Sequence, residues 1–365
     1  MNIIISLGHP AHYHLFKYVA KNLSDRGHNI HWVITSKDIL EKLLIADNVN
    51  YTVLSSYQKN SMMGKLSKLF TSTKELIKTA KKNKPDIFVG CLSQIGYAAQ
   101  ILRKQSIFVG EDDFYYTWQQ GIITYPFVST ILAPNITNNS IFSCKKTPYY
   151  GYQKLSYLHP NQFTPDKSVV EKYFPSEKPY FILRFAQLKA YHDLVSHAHG
   201  INTEIAQHLI DILLPHGDVY ITSERPLEPQ YEKYRLHINP LDIHHVLAFA
   251  KLYIGDSQSM SVEAAMLGTP SLRFNDFAGR IGILEELEHK YELTYAIPPS
   301  EPERLYEKII ELLSMSNLRD IFQQRRQKML ADKIDVTAFF TWFIENYPES
   351  KRIMKENFDY QYRFK

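Results

Sequence analysis

Cysteine is almost missing from this chain: its 365 residues include two, Cys91 and Cys144. That excludes a disulfide framework, and their separation fits no metal-ligand spacing, so a reducing, cytoplasmic setting is expected. Long apolar runs are missing too, and with them any segment able to span a bilayer. The opening MNIIISLGHPAHYH has no basic residues ahead of its short apolar run, which reads as a buried strand and not as a signal peptide. Charge of one sign is scarce as well. The formal net charge is +4, without the basic patch and interleaved aromatics that nucleic-acid binding requires. What is present is the composition of a folded protein, 44% apolar and 22% charged, at a length that accommodates two domains.

The first part of the chain alternates short apolar runs with helical periodicity. Strands are expected at 2–7, 29–35, 51–54, 86–89, 107–109 and 131–133, and helices at 14–26, 37–44 and 62–83. A stretch rich in Asn, Pro, Lys and Tyr follows without clean periodicity. The alternation then restarts, with strands at 180–185, 219–222, 236–239, 252–254 and 271–274 and helices at 203–214, 243–250, 302–314, 318–333 and 336–345. Such alternation predicts parallel sheets covered on both faces. The expected organisation is a first α/β domain over 1–150, a connection over 151–179, a second α/β domain over 180–335, and a helix and tail over 336–365 that cross back toward the first. Two domains of this kind predict a cleft between them, with ligands beyond the carboxyl ends of the strands.

Residues 255–270, GDSQSMSVEAAMLGTP, leave an expected strand and enter a helix. Gly255 suits a tight turn or the close approach of a ligand. Asp256, Ser257 and Ser259 can cap the helix, whose free N–H groups suit a phosphate. Glu263 follows about one helical turn later, where a carboxylate can accept the hydroxyls of a ribose. Gly268 and Pro270 end the helix. The plain alternative is a capped helix with Glu263 on a solvated face.

GHPAHYH at 8–14 puts His9 and His12 in the loop after the first strand and His14 at the start of the helix. Histidine there suits proton transfer near neutral pH, while histidines that merely cap the helix are the alternative. No nearby Asp, Glu or Cys completes a metal site, so none is expected. Arg184, at a strand end, can clamp phosphate oxygens or form a surface ion pair. His192 stands beside Asp193 and His244 opens a helix. GEDDFYYTW places Glu111, Asp112 and Asp113 after a first-domain strand, as candidate bases or partners of sugar hydroxyls, against the alternative of a solvated acidic turn. Residues 59–84 carry eight lysines against one acidic residue, Glu75, with apolar side chains between them. That pattern can rest on anionic lipid headgroups or simply pack on a sheet.

The run GDSQSMSVEAAMLGTP resembles the nucleotide-binding signature of GT-B-fold enzymes, namely MurG-type glycosyltransferases and non-hydrolysing UDP-N-acetylglucosamine 2-epimerases. Together with ISLGHPAHYHLFK, FILRFAQLKAYHD and SLRFND, it is similar more narrowly to the DUF354 family of GT-B-like proteins. These pieces spread the resemblance over most of the chain. The resemblance implies a GT-B fold: two Rossmann-like α/β domains with parallel sheets facing across a cleft. It implies that Glu263 holds ribose hydroxyls, that Ser257, Ser259 and Met260 lie by the diphosphate with Arg184, and that His244 lies where the nucleobase is bound. His12 matches the first-loop histidine of the MurG type, with His9 and His192 as acceptor or sugar contacts. Glu111 matches a glutamate of the epimerases, and Asp112 with Asp113 a pair of aspartates of DUF354 proteins. The family pattern then continues with an acidic residue and a His, where this chain has Phe114, Tyr115 and Tyr116. No metal or other cofactor is implied, the nucleoside diphosphate sugar, a UDP-sugar first, being the substrate.

The expected function is therefore a metal-independent sugar transfer in surface polysaccharide or glycolipid assembly. The donor would be held by the C-terminal domain and a saccharide or lipid-linked acceptor by the N-terminal one, in the cytoplasm or against the inner face of the membrane. Two alternatives stay open. One is a sugar-nucleotide 2-epimerase, which needs a base and an acid flanking the sugar C2. The other is a nucleotide-sugar-binding protein without catalysis.

Overall fold

The isoleucine-rich run Asn2–Leu7 folds as β1, about which the first part of the chain is ordered. Residues Ile3 to Leu7 are all buried, because both faces of a parallel sheet are covered and no polar alternation is required. A computed structural model describes residues 1–35, 38–54, 62–174, 176, 178–186 and 200–365. They divide into two compact units, Met1–Gln162 with Lys333–Lys365, and Phe163–Asp332.

In the first unit, β2 (Asn29–Thr35), β3 (Tyr51–Leu54), β4 (Ile87–Gly90), β5 (Gln105–Val109), β6 (Thr130–Pro134) and β7 (Lys146–Tyr149) join β1 in a seven-stranded sheet ordered β3-β2-β1-β4-β5-β6-β7. Every pairing is parallel. The helices of this part are α1 (Pro10–Asp25), α2 (Asp38–Ala46), α3 (Met62–Asn83), α4 (Gln94–Leu102), α5 (Phe114–Thr124) and α6 (Leu155–Leu158).

The second unit holds α7 (Lys167–Glu171), β8 (Tyr180–Phe185), α8 (Thr203–Leu213), β9 (Asp218–Ser223), α9 (Ile243–Phe249), β10 (Leu252–Gly255), α10 (Gln258–Leu267), β11 (Ser271–Phe274), α11 (Gly282–Glu285), β12 (Thr294–Ile297), α12 (Pro302–Ser314) and α13 (Leu318–Asp332). Its five strands are parallel in the order β12-β11-β10-β8-β9.

The chain then returns to the first unit with α14 (Val336–Glu345) and α15 (Glu349–Glu356). Phe339 and Phe340 of α14 bury against Tyr149 of β7, with ring centroids 5.9 and 5.1 Å away. The aromatic tail packs on the body of this unit: Phe364 lies 5.4 Å from Trp342, and the buried Gln361 accepts the Tyr150 N–H at 2.6 Å. Among the described residues, no helix is long and apolar enough to cross a membrane.

Several expectations are corrected. The first helix starts at Pro10 and not at His14, since proline is favoured at the first helical position and the His9 ring accepts the Ala11 N–H as cap. His12 consequently lies in the first helical turn and not in a loop. Residues 236–239 form no strand; Ile221 and Arg235 make an isolated bridge, and the Asn239 N–H goes to the Tyr173 hydroxyl instead of a ladder. β7 and β12 went unpredicted, being short, and β7 carries Pro148, which only a sheet edge tolerates. Residues 151–179 are not one connection. Leu155, Tyr157 and Leu158 are buried in the first unit, and Phe163 begins the second.

Each sheet reverses its strand order once, between β1 and β4 and between β8 and β10. Connections diverge at such a point and leave room for a ligand beyond the carboxyl ends. At the second, Gly255 pairs in register with Arg184. A Cβ there would stand 2.6 Å from the Tyr253 hydroxyl and 3.0 Å from the Arg184 carbonyl oxygen, so the glycine is required by the sheet itself. Gly255→Ala is expected to destabilise the fold by about 1–3 kcal/mol, read as a lower urea midpoint; a midpoint equal to that of the native chain would contradict this packing.

Candidate functional site

α10 is buried on all sides from Ser261 to Leu267. Its carboxyl end is closed by Gly268 in the left-handed region (φ 72°), which lets Thr269 donate to the Ala264 carbonyl at 2.9 Å. From α13, Arg326 donates to the Met266 carbonyl at 2.7 Å and Gln323 to that of Leu267 at 3.0 Å. The amino end differs. Ser257 is the cap residue but makes no side-chain cap bond, and Ser257 to Met260 are half-buried. Asp256 does not cap either, contrary to expectation. Its Oδ1 accepts the Ala186 N–H at 2.6 Å and its Oδ2 the Ile201 N–H at 3.3 Å, so one carboxylate anchors the chain on both sides of residues 187–199. Asn275 completes the turn by donating to the Asp256 carbonyl at 3.2 Å. Neither Ser257 nor Asp256 thus caps the first N–H groups of α10, the condition under which a helix end receives an anion.

Glu263 is 8% exposed and His244 7% exposed, and the His244 Nε2 lies 3.5 Å from the Glu263 Oε1. The solvated-face alternative for Glu263 is therefore overturned. The packing of α9 on α10 joins two residues that the sequence assigned separately to base and ribose. Phe163 meets the His244 ring edge-on, with centroids 6.0 Å apart. The neighbouring His245 accepts the Asp166 N–H at 2.9 Å, and burial lowers its pKa.

Arg184 leaves β8 with its Nη1 donating to Thr222 Oγ1 at 2.8 Å and its Nη2 paired with Glu224. The pair is not a surface one on the arginine side, where 14% of the side chain is exposed, and among the described residues the buried Nε has no hydrogen-bond partner. Two buried charges escaped the sequence reading. Burial pushes the Asp256 carboxyl up to about 6, with the Ala186 N–H and Arg225 pulling the other way. Arg273 on β11 is fully buried and donates to Glu288 at 2.7 Å. The only sequence signal for the first was its place after the strand-ending glycine.

In the first unit, the His12 Nδ1 accepts the Gly8 N–H at 3.2 Å, which turns Nε2 away from the loop backbone. His9 lies beside it, with ring centroids 6.0 Å apart, and His14 faces Tyr157 at 5.3 Å. The three carboxylates part company. Glu111 is not part of a solvated acidic turn: its Oε1 accepts the Gln153 N–H at 2.7 Å, and its Oε2 lies 3.7 Å from the Lys154 ammonium. Burial raises the Glu111 pKa, with Lys154 opposing, and burial also raises those of the nearby Cys91 and Tyr149. Asp113 accepts the Asn138 N–H at 2.6 Å, and Asp112 alone is exposed. His192, with Lys189 and Asp193, lies outside the described residues, as does Lys59. Among the described residues, no cluster of three His, Cys, Asp or Glu is placed to hold a metal ion. α3 buries Leu76 and Ala80 and exposes Lys74, Lys78, Lys81 and Lys82.

The chain is similar over its length to solved structures of two kinds of enzyme. The UDP-GlcNAc 2-epimerase of Neisseria meningitidis, bound to UDP-GlcNAc, matches with TM-score 0.64 and 15% identity over 96% of this chain and 100% of that one. MnaA of S. aureus, solved with UDP, matches at 0.66 and 14% over 96% and 97%. CalG4, the calicheamicin glycosyltransferase, matches at 0.62 and 14% over 95% and 98%. No protein-family model and no curated protein matches, so the narrower resemblance to DUF354 rests on its sequence stretches alone. At these identities the likeness shows the fold: two parallel-sheet α/β units of the GT-B kind.

Asp256 gives a pH signature. Its folded pKa of about 6 lies above the ordinary 3.8, so the folded state holds the proton more tightly than the unfolded one. The resulting penalty is absent below the ordinary value and complete above the folded one. Between pH 4 and 7 the native chain should therefore lose about 3 kcal/mol relative to Asp256→Asn. Chemical denaturation of both at several pH values checks this, and a pH-independent gap would contradict it.

Proposed function

We propose that the protein is a GT-B glycosyltransferase that moves a sugar from a nucleoside diphosphate, a UDP-sugar first, to an acceptor hydroxyl. The observation that carries this reading is the buried Glu263–His244 pair, one turn into a helix whose cap residue, Ser257, makes no side-chain cap bond. In that setting the diphosphate rests on the N–H groups of Ser259 and Met260 beside Ser257. Glu263 accepts the ribose hydroxyls, and His244 bounds the base. The helix end and Arg184 stabilise the negative charge that builds on the departing diphosphate. Arg184 is paired with Glu224 in this state and exchanges that carboxylate for a phosphate oxygen when donor binds.

The acceptor falls to the first unit. On acceptor binding, His12 exchanges the Gly8 N–H at its Nδ1 for the acceptor hydroxyl and takes its proton as the hydroxyl oxygen attacks the anomeric carbon and the diphosphate leaves, with His9 and Asp112 as neighbouring contacts. The state of Glu111 favours transfer over 2-epimerisation. An epimerase needs a base and an acid about the sugar C2, whereas both oxygens of Glu111 are engaged by Gln153 and Lys154. The basic outer face of α3 suits the headgroups of an anionic membrane, which would bring lipid-linked acceptors within reach in polysaccharide or glycolipid assembly.

A thermal-shift panel of nucleoside diphosphates and their sugars tests the donor site. One class should raise the melting temperature, with stabilisation approaching about 2.7 kcal/mol at a hundredfold excess over Kd, and Glu263→Ala should abolish the rise. No shift with any member, or an undiminished shift in the variant, would contradict the reading. His12→Ala should keep the nucleotide shift while lowering kcat by about 10²–10⁴-fold in a sugar-transfer assay; an unchanged kcat would remove His12 from the chemistry.

A further inference from the structure

β3 is the outermost strand of the first sheet, and its first residue, Tyr51, pairs with Trp32. The opening residues of β2, Asn29 to His31, therefore run on past the start of β3. α3 lies over this corner. Its Leu76 and Ala80 enter the core with Val33 and Leu54. Glu75, Lys78, Thr79 and Lys82 recur at three and four residues along the flank beside them. Between that flank and the two strands lies a groove of about 550 Å³. It takes in the amino ends of β2 and β3, whereas His9 and His12 follow the carboxyl end of β1.

His31 of β2, Thr52 of β3 and Lys78, Thr79, Lys82 and Asn83 of α3 line the groove. Two ammonium groups and an imidazole thus face it, against the single carboxylate of Glu75. Among the described residues, Lys78, Lys82 and the His31 ring make no ion pair and no side-chain hydrogen bond. Lys82 lies in the last turn of α3, where the helix dipole favours a cation. Lys78 lies a turn earlier, gains nothing from the dipole, and is repelled by Lys82 four residues on. The strand adds donors of its own, because alternate N–H groups of an outermost strand point away from the sheet. The Thr52 and Thr79 hydroxyls and the Asn83 amide can each donate as well.

A wall of cations and donors selects an anion. A phosphate monoester carries about two negative charges near neutral pH and three acceptor oxygens, and bonds from ammonium groups to such oxygens are the strong ones. A carboxylate offers fewer oxygens and half the charge. Ile30 and Trp32 add apolar surface for an organic part, and the volume falls within the range of about 300–1,000 Å³ typical of small-molecule sites. A concave groove of that size fits a single dissolved molecule better than a bilayer face.

We infer that the groove between β3 and the Lys78–Lys82 flank of α3 binds a small soluble phosphate monoester. The inference goes beyond the proposed function: the groove shares no residue with α10 or with the first-loop histidines, and it stands whether or not the protein transfers sugars. Lys74 and Lys81, exposed and outside the lining, remain for a membrane surface.

The test is calorimetric titration of the full-length chain with glucose 1-phosphate and with glycerol 3-phosphate. A buffer of about 0.15 M salt screens unspecific attraction to lysine. Co-sedimentation with phosphatidylglycerol and phosphatidylcholine vesicles runs in parallel. Saturable binding of at least one phosphate is expected, with glucose and glycerol themselves inert. Lys78→Gln and Lys82→Gln change exposed side chains, and each should weaken binding by about tenfold, the share of one hydrogen bond to a charged group. Thr79→Trp fills the groove while keeping both lysines and should weaken it as much; melting temperatures confirm that all three variants fold. Binding of neither phosphate, or binding that the variants leave unchanged, overturns the site. Vesicle binding that depends on Lys78 and Lys82, without binding of either soluble phosphate, overturns it in favour of a lipid surface.

Discussion

A parallel sheet brings the carboxyl ends of all its strands to one edge, and where the strand order reverses, neighbouring connections must leave in opposite directions. Both units are built around that constraint. Between β8 and β10 the gap is held by one carboxylate, Asp256, which takes N–H groups from Ala186 and Ile201 while its own carbonyl is held by Asn275. Because Asp256 is drawn back into the sheet, it does not cap the first turn of α10, and neither does Ser257. Between β1 and β4 the approach is closer still. A Cβ on Gly8 would strike Leu92, and one on Gly90 would stand 2.5 Å from the Ser6 carbonyl oxygen. The fold keeps these positions small and so sets His9 and His12 directly at the reversal.

Buried charge is the second theme. Transferring a carboxylate or guanidinium out of water is unfavourable unless partners replace the solvent. Glu111 meets that demand with a backbone N–H and an ammonium, Arg273 with Glu288, and Asp256 with two N–H groups. These groups fasten the chain. Glu263 lies on a helix buried from Ser261 to Leu267, faces the His244 imidazole and sits one turn behind Ser257, which makes no side-chain cap bond. A carboxylate there lies on no solvated surface, which suits the ribose contact proposed for it.

Much of the framework was legible in the sequence. β1, β2, β3, β8 and β11 fall where the apolar runs place them, since strands buried on both faces write themselves as such runs. Gly268 ends α10 as its composition indicates. What escaped depends on partners distant in the chain. Asp256 has the residue type of a cap, and only the return of Ile201 and Ala186 to its side shows its work. Glu111 looks like a carboxylate at a strand end until Gln153 and Lys154 fold over it. The meeting of His244 with Glu263 is set by helix packing, which no periodicity encodes. α1 was placed one turn late because the periodic apolar positions begin after the proline that starts it.

The most direct test of the nucleotide-sugar site is photolabelling of the native chain with an azido-uridine diphosphate sugar, followed by tryptic mapping. Cleavage after Arg235, Lys251 and Arg273 separates residues 236–251, which carry His244, from residues 252–273, which carry the whole of α10 and Glu263. Label confined to these two peptides and displaced by unlabelled UDP is the predicted result. Label elsewhere in the chain, or label that UDP does not displace, would contradict the assignment of the donor to α10.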